Sequence, residues 1–299
     1  MIFAPNSPPG RLPSARENAF RAWAAGARPM GGLFMKRSYE TLSFNFFRKE
    51  PVFLRRALYL RFNVCYNGTR TEIYVKAGID MELKGCKINL LGDSITCGVG
   101  TSAPEKRFGD LIAAQYGAIV RNYGISGTRI ARQRIPTAGN PEFDRHFVSR
   151  VPDMDADADV IVVFGGTNDF GHGDAPIGNM SDRKDTTFCG GLHALYTALI
   201  EKYPDARIVI LTPTHRLNED NPRGDGNKPQ DVGRLIDYVN FIREAAEFYS
   251  LPVLDLFAVS GIQPRVSVLQ QRYMPDGLHP NDAGHARLAA ILASFLKAL

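Results

Sequence analysis

The stretch Lys87-Ile-Asn-Leu-Leu-Gly-Asp-Ser-Ile-Thr96 decides the fold. Its apolar first half reads as a buried β-strand, and the strand breaks off at Gly92-Asp93-Ser94. Four further short apolar runs follow at the same kind of spacing: 118–123 (AIVRNY), 159–165 (DVIVVFG), 207–213 (RIVILTP) and 251–256 (LPVLDL). Three of the five runs are almost wholly apolar, as parallel strands covered on both faces should be. Helical patterns lie between and after them, at 107–116, 189–202, 232–249 and 283–299. The third of these puts Leu235, Tyr238, Val239, Ile242 and Ala245 on one face at spacings of three and four. Strands alternating with helices predict a doubly wound α/β sheet. Ligands in such sheets sit beyond the carboxyl ends of the strands, where Ser94 lies.

With 44% apolar and 22% charged residues, the 299-residue chain has ordinary soluble globular composition. No apolar run approaches the roughly 18 residues of a membrane span. Cys65, Cys86, Cys97 and Cys189 form no zinc or redox spacing. They read as free thiols in a reducing compartment, and no metal site is expected. The charge is uneven. Residues 1–80 carry 13 Lys/Arg against 5 Asp/Glu, whereas residues 81–299 carry 23 against 26. No aromatic-interleaved basic motif accompanies the excess, so it reads as a solvated surface or arm rather than a nucleic-acid interface.

The first 35 residues are rich in Pro, Gly and Arg and contain no Sec-type apolar core, which favours a cytoplasmic location. Segment 14–28 fits an Arg-rich amphipathic helix. A transit-like segment and a true start at Met30 or Met35 both remain open. Residues 36–86 form a separate small β-rich element in this reading. Aromatic and β-branched runs at 51–66 and 70–79 flank the turn-like Asn67-Gly68, a hairpin signal. The main domain is then 87–299.

A serine at a strand tip does chemistry only if a base takes its proton. Met274-Pro-Asp-Gly-Leu-His-Pro-Asn281 offers one. Asp276 and His279 stand three apart on a segment broken by Gly277 and Pro280. A turn there brings the carboxylate to the imidazole, fixes Nδ1–H and leaves Nε2 free to accept the serine proton. Acyl transfer also builds charge on a carbonyl oxygen and needs fixed donors. Asn122-Tyr-Gly-Ile-Ser-Gly-Thr128 follows the second strand and Phe164-Gly-Gly-Thr-Asn-Asp169 the third. The N–H of Gly127, unobstructed by a side chain, and the Asn168 amide fit that role, with the Ser94 N–H as a third donor.

Taken in order, the GDSIT, NYGISG, GGTND and DGLHP blocks resemble the SGNH, or GDSL-type, hydrolases. The resemblance covers about 87–299. It implies a flavodoxin-like three-layer α/β/α sandwich with a five-stranded parallel sheet in the order 2-1-3-4-5. It implies esterase or lipase-type hydrolysis without metal or organic cofactor. Block by block, Ser94 becomes the nucleophile, Gly127 and Asn168 complete the oxyanion hole, His279 is the base and Asp276 orients it. The family acts on short acyl esters, acetylated sugars and lysophospholipids, so the implied partner is a small-molecule or carbohydrate ester. Oligomeric state stays open. An α/β-hydrolase would instead show a GxSxG elbow, absent around Ser94 and Ser126.

The loops after the second and third strands read as short, predicting a shallow site suited to an acetyl-type group. An acyltransferase using the same acyl-enzyme and a non-catalytic carbohydrate-binding relative are the alternatives. Asp93 braces the serine loop or borders the pocket, and His172 is a second border candidate. His146, His193, His215 and His285 have no evident partner. Segment 218–230 reads as a polar loop able to act as a flap, and the acidic run 153–159 as a solvated turn entering the third strand.

Overall fold

The computed structural model describes residues 81–299 in full, and the backbone of two strands before them. Those strands, β1 (Leu58–Tyr66) and β2 (Thr69–Ala77), pair antiparallel, with Tyr66 opposite Thr69. That antiparallel pairing agrees with the hairpin read from the sequence, whose turn residues 67–68 lie outside the described residues. The transit-like segment 1–35 and the start of the β-rich element lie outside the described residues.

The main sheet is built from β3 (Lys87–Gly92), β4 (Ile119–Gly124), β5 (Val160–Phe164), β6 (Arg207–Leu211) and β7 (Val253–Leu254). All pairs are parallel and the order is β4-β3-β5-β6-β7, which counts as 2-1-3-4-5 along the chain. Among the described residues the α-helices are α1 (Ser94–Cys97), α2 (Phe108–Tyr116), α3 (Phe147–Arg150), α4 (Thr167–Gly171), α5 (Phe188–Lys202), α6 (Leu235–Phe248), α7 (Leu256–Val259), α8 (Ser267–Tyr273) and α9 (Asp282–Ala298). No helix of the described residues is long and apolar enough to cross a membrane.

Strand alternation sorts the side chains onto two cores. Ile88, Leu90, Val160, Val162, Phe164 and Val209 face one way, against Phe108 and Ile112 of α2 and Leu288, Leu292 and Leu296 of α9. Leu91, Ile161, Val163, Ile208 and Ile210 face the other, against Leu192, Leu195 and Leu199 of α5 and the apolar stripe of α6. All five stripe residues named from the sequence are buried there. Removing one such side chain, as in Ile242→Ala, should cost about 2–5 kcal/mol. The result is the three-layer α/β/α sandwich.

Register matters most for the site. Gly92 lies opposite Gly124 on one side and Phe164 on the other. The ends of β4, β3 and β5 are thus level, and the segments that follow them emerge side by side on one rim. At the opposite end the acidic run is a brace for β3. Asp157 pairs with Lys87 Nζ at 2.5 Å, and Asp159 accepts the Lys87 N–H at 2.8 Å.

Candidate active site

Ser94 is the first residue of α1 and is only 4% exposed. Asp93 caps this turn by accepting the Ile95 N–H at 3.0 Å. Gly92 permits the tight passage from strand to helix, since a Cβ there would collide with the Thr96 side chain. Asp93 is buried, and through this cap it braces the serine turn. Burial pushes its carboxyl up to about 7, although the Ile95 N–H and the Arg150 charge pull the other way.

The loop before α9 brings the other two groups. His279 Nε2 lies 3.0 Å from Ser94 Oγ, and His279 Nδ1 lies 2.7 Å from Asp276 Oδ2. Asp276 Oδ1 accepts the N–H groups of Leu278 (2.8 Å) and His279 (2.7 Å), so the carboxylate closes the turn that carries the histidine. Burial raises the Asp276 pKa, but those two N–H groups and the ring outweigh it and hold the carboxyl below its ordinary value. An ionised Asp276 selects the tautomer with a proton on Nδ1, leaving Nε2 as acceptor. Two neighbours hold this loop. Gly277 accepts the Leu217 N–H at 2.9 Å, and Asp282 accepts from the Ser102 N–H (2.8 Å) and hydroxyl (2.6 Å).

Gly127 and Asn168 come from the two neighbouring strand ends. Gly127 has φ of +73°, and an added Cβ would lie 2.8 Å from the Phe143 ring. Both facts demand glycine. Among the described residues no group accepts the Gly127 N–H. Asn168 is buried and donates Nδ2 to the Thr128 carbonyl at 3.0 Å. That bond assigns the amide orientation and leaves the second N–H of Nδ2 for another acceptor. The next residue locks the two blocks together: Asp169 accepts the N–H groups of Ile130 and Ala131, each at 2.9 Å.

Arg150 is a member of this site that no sequence pattern marks. Its buried guanidinium donates to Gly92 O (3.1 Å), Tyr123 O (2.6 Å) and Thr128 Oγ1 (3.1 Å). One side chain thereby ties the ends of β3 and β4 to the Gly127 turn. Burial lowers its pKa to about 10 while the Asp93 charge supports the cation. Asn122 adds a second tie, donating to Thr96 O at 2.7 Å and accepting the Gly124 N–H at 2.8 Å.

Several expectations change. The connection after β4 runs through residues 125–146, and that after α4 through 172–187, so neither loop is short. Segment 218–230 is a largely exposed polar loop, as read, with Glu219 and Lys228 buried as its anchors. The histidines without evident partners all have one. His146 meets Asp185 (2.9 Å), His193 meets Tyr249 (3.1 Å), His215 meets Glu219 (2.8 Å), and His285 Nδ1 accepts the Phe108 N–H (3.2 Å). His172 does stand near the site, with Nε2 3.4 Å from the Gly127 carbonyl and Nδ1 3.5 Å from Asp225.

The sequence matches the model of the GDSL-like Lipase/Acylhydrolase family over residues 90–287, more than half of the chain. Among solved structures, one from Lactobacillus plantarum is 31% identical, covering 71% of this chain and 97% of its own, with a TM-score of 0.61. Another crystal structure is 32% identical, covering 73% of this chain and 99% of its own, with a TM-score of 0.63. The aryl esterase of M. smegmatis shares the fold at 19% identity, covering 72% of this chain and 99% of its own, with a TM-score of 0.51. No curated protein matches in sequence. The chain belongs to the GDSL-like lipase/acylhydrolase family and is a carboxylic ester hydrolase.

Proposed function

We propose that the chain hydrolyses short-acyl carboxylic esters through an acyl-enzyme on Ser94. The contact between His279 Nε2 and Ser94 Oγ at 3.0 Å carries the reading, because it joins a nucleophile to a base already oriented by a carboxylate. Ser94 Oγ attacks the ester carbonyl carbon as its proton passes to Nε2. The oxygen that gains charge is met by the N–H groups of Ser94 and Gly127 and by the free N–H of the Asn168 amide. Collapse breaks the bond to the leaving alcohol, which takes the proton from Nε2. Water then attacks the acyl-enzyme and gives a proton to Nε2, which passes it to Ser94 Oγ as the bond from Oγ to the acyl carbon breaks and the carboxylic acid leaves.

The preference for a small acyl group rests on bulk near the donors, not on loop length. The Phe143 ring packs against Gly127 from one direction, and the His172 ring approaches its carbonyl. In this reading the two rings crowd the acyl side of the site and disfavour a long or branched chain. Hydrolysis of p-nitrophenyl esters from acetyl to decanoyl tests this. The expected kcat/KM is highest for acetyl to butyryl, and a maximum at eight carbons or more overturns the small-acyl assignment. Activity that survives Ser94→Ala overturns the mechanism itself.

A further inference from the structure

The helix that presents Asn168, α4, is only five residues long. A helix this short has few internal hydrogen bonds, and the carbonyls of Asp169, Phe170 and Gly171 at its end need other partners. Residues 216–228 supply such partners. Arg216 Nη1 reaches both the carbonyl and the hydroxyl of Thr167, each at 3.3 Å. The Asp225 N–H donates to Gly171 O at 2.8 Å. Lys228 Nζ donates to Asp169 O at 2.6 Å. Gly224, with φ of +60°, lets this strap lie on the helix, since a Cβ would strike the Phe170 and Gly171 carbonyls. Asp225 in turn pairs with Arg216 and faces His172.

We infer that Lys228 is a positioning residue for the oxyanion amide, setting the orientation of α4 and hence the aim of Asn168. The inference rests on the proposed role of Asn168. A buried ammonium is an unfavourable choice for simple packing, where an apolar side chain of similar length serves as well. Lys228 is buried against the Tyr238 ring, 5.8 Å from its centroid, and donates to the carbonyl directly after the amide-bearing residue. The charged groups that act on it are Asp169, Asp225 and Asp174, which favour the cation, and Arg129, which opposes it. Burial is the largest influence and brings its pKa down to about 8. The ammonium is therefore present below that pH and lost above it, within the working range of an esterase.

The test is a double-variant cycle on p-nitrophenyl acetate hydrolysis with Lys228→Met, Asn168→Ala and the pair, each checked for folding by thermal unfolding. Lys228→Met is expected to lower kcat about tenfold with KM within about twofold, because small misplacements of a catalytic group are costly. In the Asn168→Ala background the same change should cost less than about twofold. Lys228→Arg, which keeps a charged donor, should recover part of the loss. The wild-type kcat should also fall above about pH 8, and that fall should be absent from Asn168→Ala, a comparison that needs no lysine variant. Equal costs of Lys228→Met in both backgrounds, or the same alkaline fall in both profiles, overturn the inference while leaving the Asn168 role intact. Wild-type kcat in folded Asn168→Ala overturns the Asn168 role and the inference with it.

Discussion

Ser94 Oγ and His279 Nε2 lie 3.0 Å apart although 185 positions separate them in the chain. The meeting follows from two local devices on one rim. A glycine-mediated exit from β3 ends in the serine, and a carboxylate-closed turn before α9 ends in the histidine. Neither device depends on a flexible segment finding its place, which is how a site stays preorganised before substrate arrives.

The Asp276 carboxylate does two things: it bonds the ring and it closes the turn through two backbone N–H groups. Asp276→Asn keeps an acceptor oxygen for one task but no longer stabilises the imidazolium. The side chain is 54% exposed, so water supplies part of the missing stabilisation. Steady-state kinetics should show kcat lowered by about 10²–10³-fold with the thermal midpoint nearly unchanged. A loss below about fivefold contradicts the orienting role.

Gly127 needs both a left-handed backbone and an empty Cβ position beside Phe143. Gly127→Ala should lower kcat/KM by about 10²-fold or more, since strain and the ring contact both displace the N–H. Adding Phe143→Ala removes the clash but not the strain, so the pair should recover activity only in part. Full recovery assigns the effect to crowding alone.

Asp93 carries a pH signature. Its folded pKa of about 7 stands above the ordinary carboxylate value because the group is buried. Below the unfolded pKa both states are protonated and the contribution to stability is fully present. As pH rises from about 4 to 7 the unfolded state ionises first, so stability is lost across that window. Asp93→Asn keeps the cap to Ile95 and lacks this titration. It should be more stable than wild type at pH 8 by on the order of 2–3 kcal/mol, with no such advantage at pH 4. Denaturant midpoints at the two pH values decide it, and equal midpoints at pH 8 contradict the buried-acid description.

The parts legible in the sequence were those with a local pattern. β3 and β5 stand out because strands buried on both faces read as nearly continuous apolar runs, with the hydrogen-bonded Asn89 as the buried polar exception in β3, and α6 stands out through its stripe. β7 was overread: six residues looked strand-like, yet only Val253–Leu254 pair, with Pro252 and the α7-capping Asp255 on either side. The four blocks of the site were readable because each sits in its own turn. Arg150, Arg216 and Lys228 were not. They are single long side chains that reach backbone carbonyls of other segments, and such contacts leave no periodicity or spacing behind. The partners of His146, His193 and His285 escaped for the same reason, lying 39, 56 and 177 positions away, whereas Glu219 stands only four positions from His215 and its spacing was overlooked. Loop length was visible in the spacing of the strands and was underestimated because the blocks themselves are compact.

The central claim is that Ser94 is a nucleophile activated by His279. Labelling with a fluorophosphonate, followed by peptide mass mapping, tests it most directly. The account expects one adduct on Ser94 in the wild type, none in Ser94→Ala, and labelling slowed by about 10²-fold or more in His279→Ala. Equal labelling of Ser94→Ala, or an adduct on another residue, contradicts it.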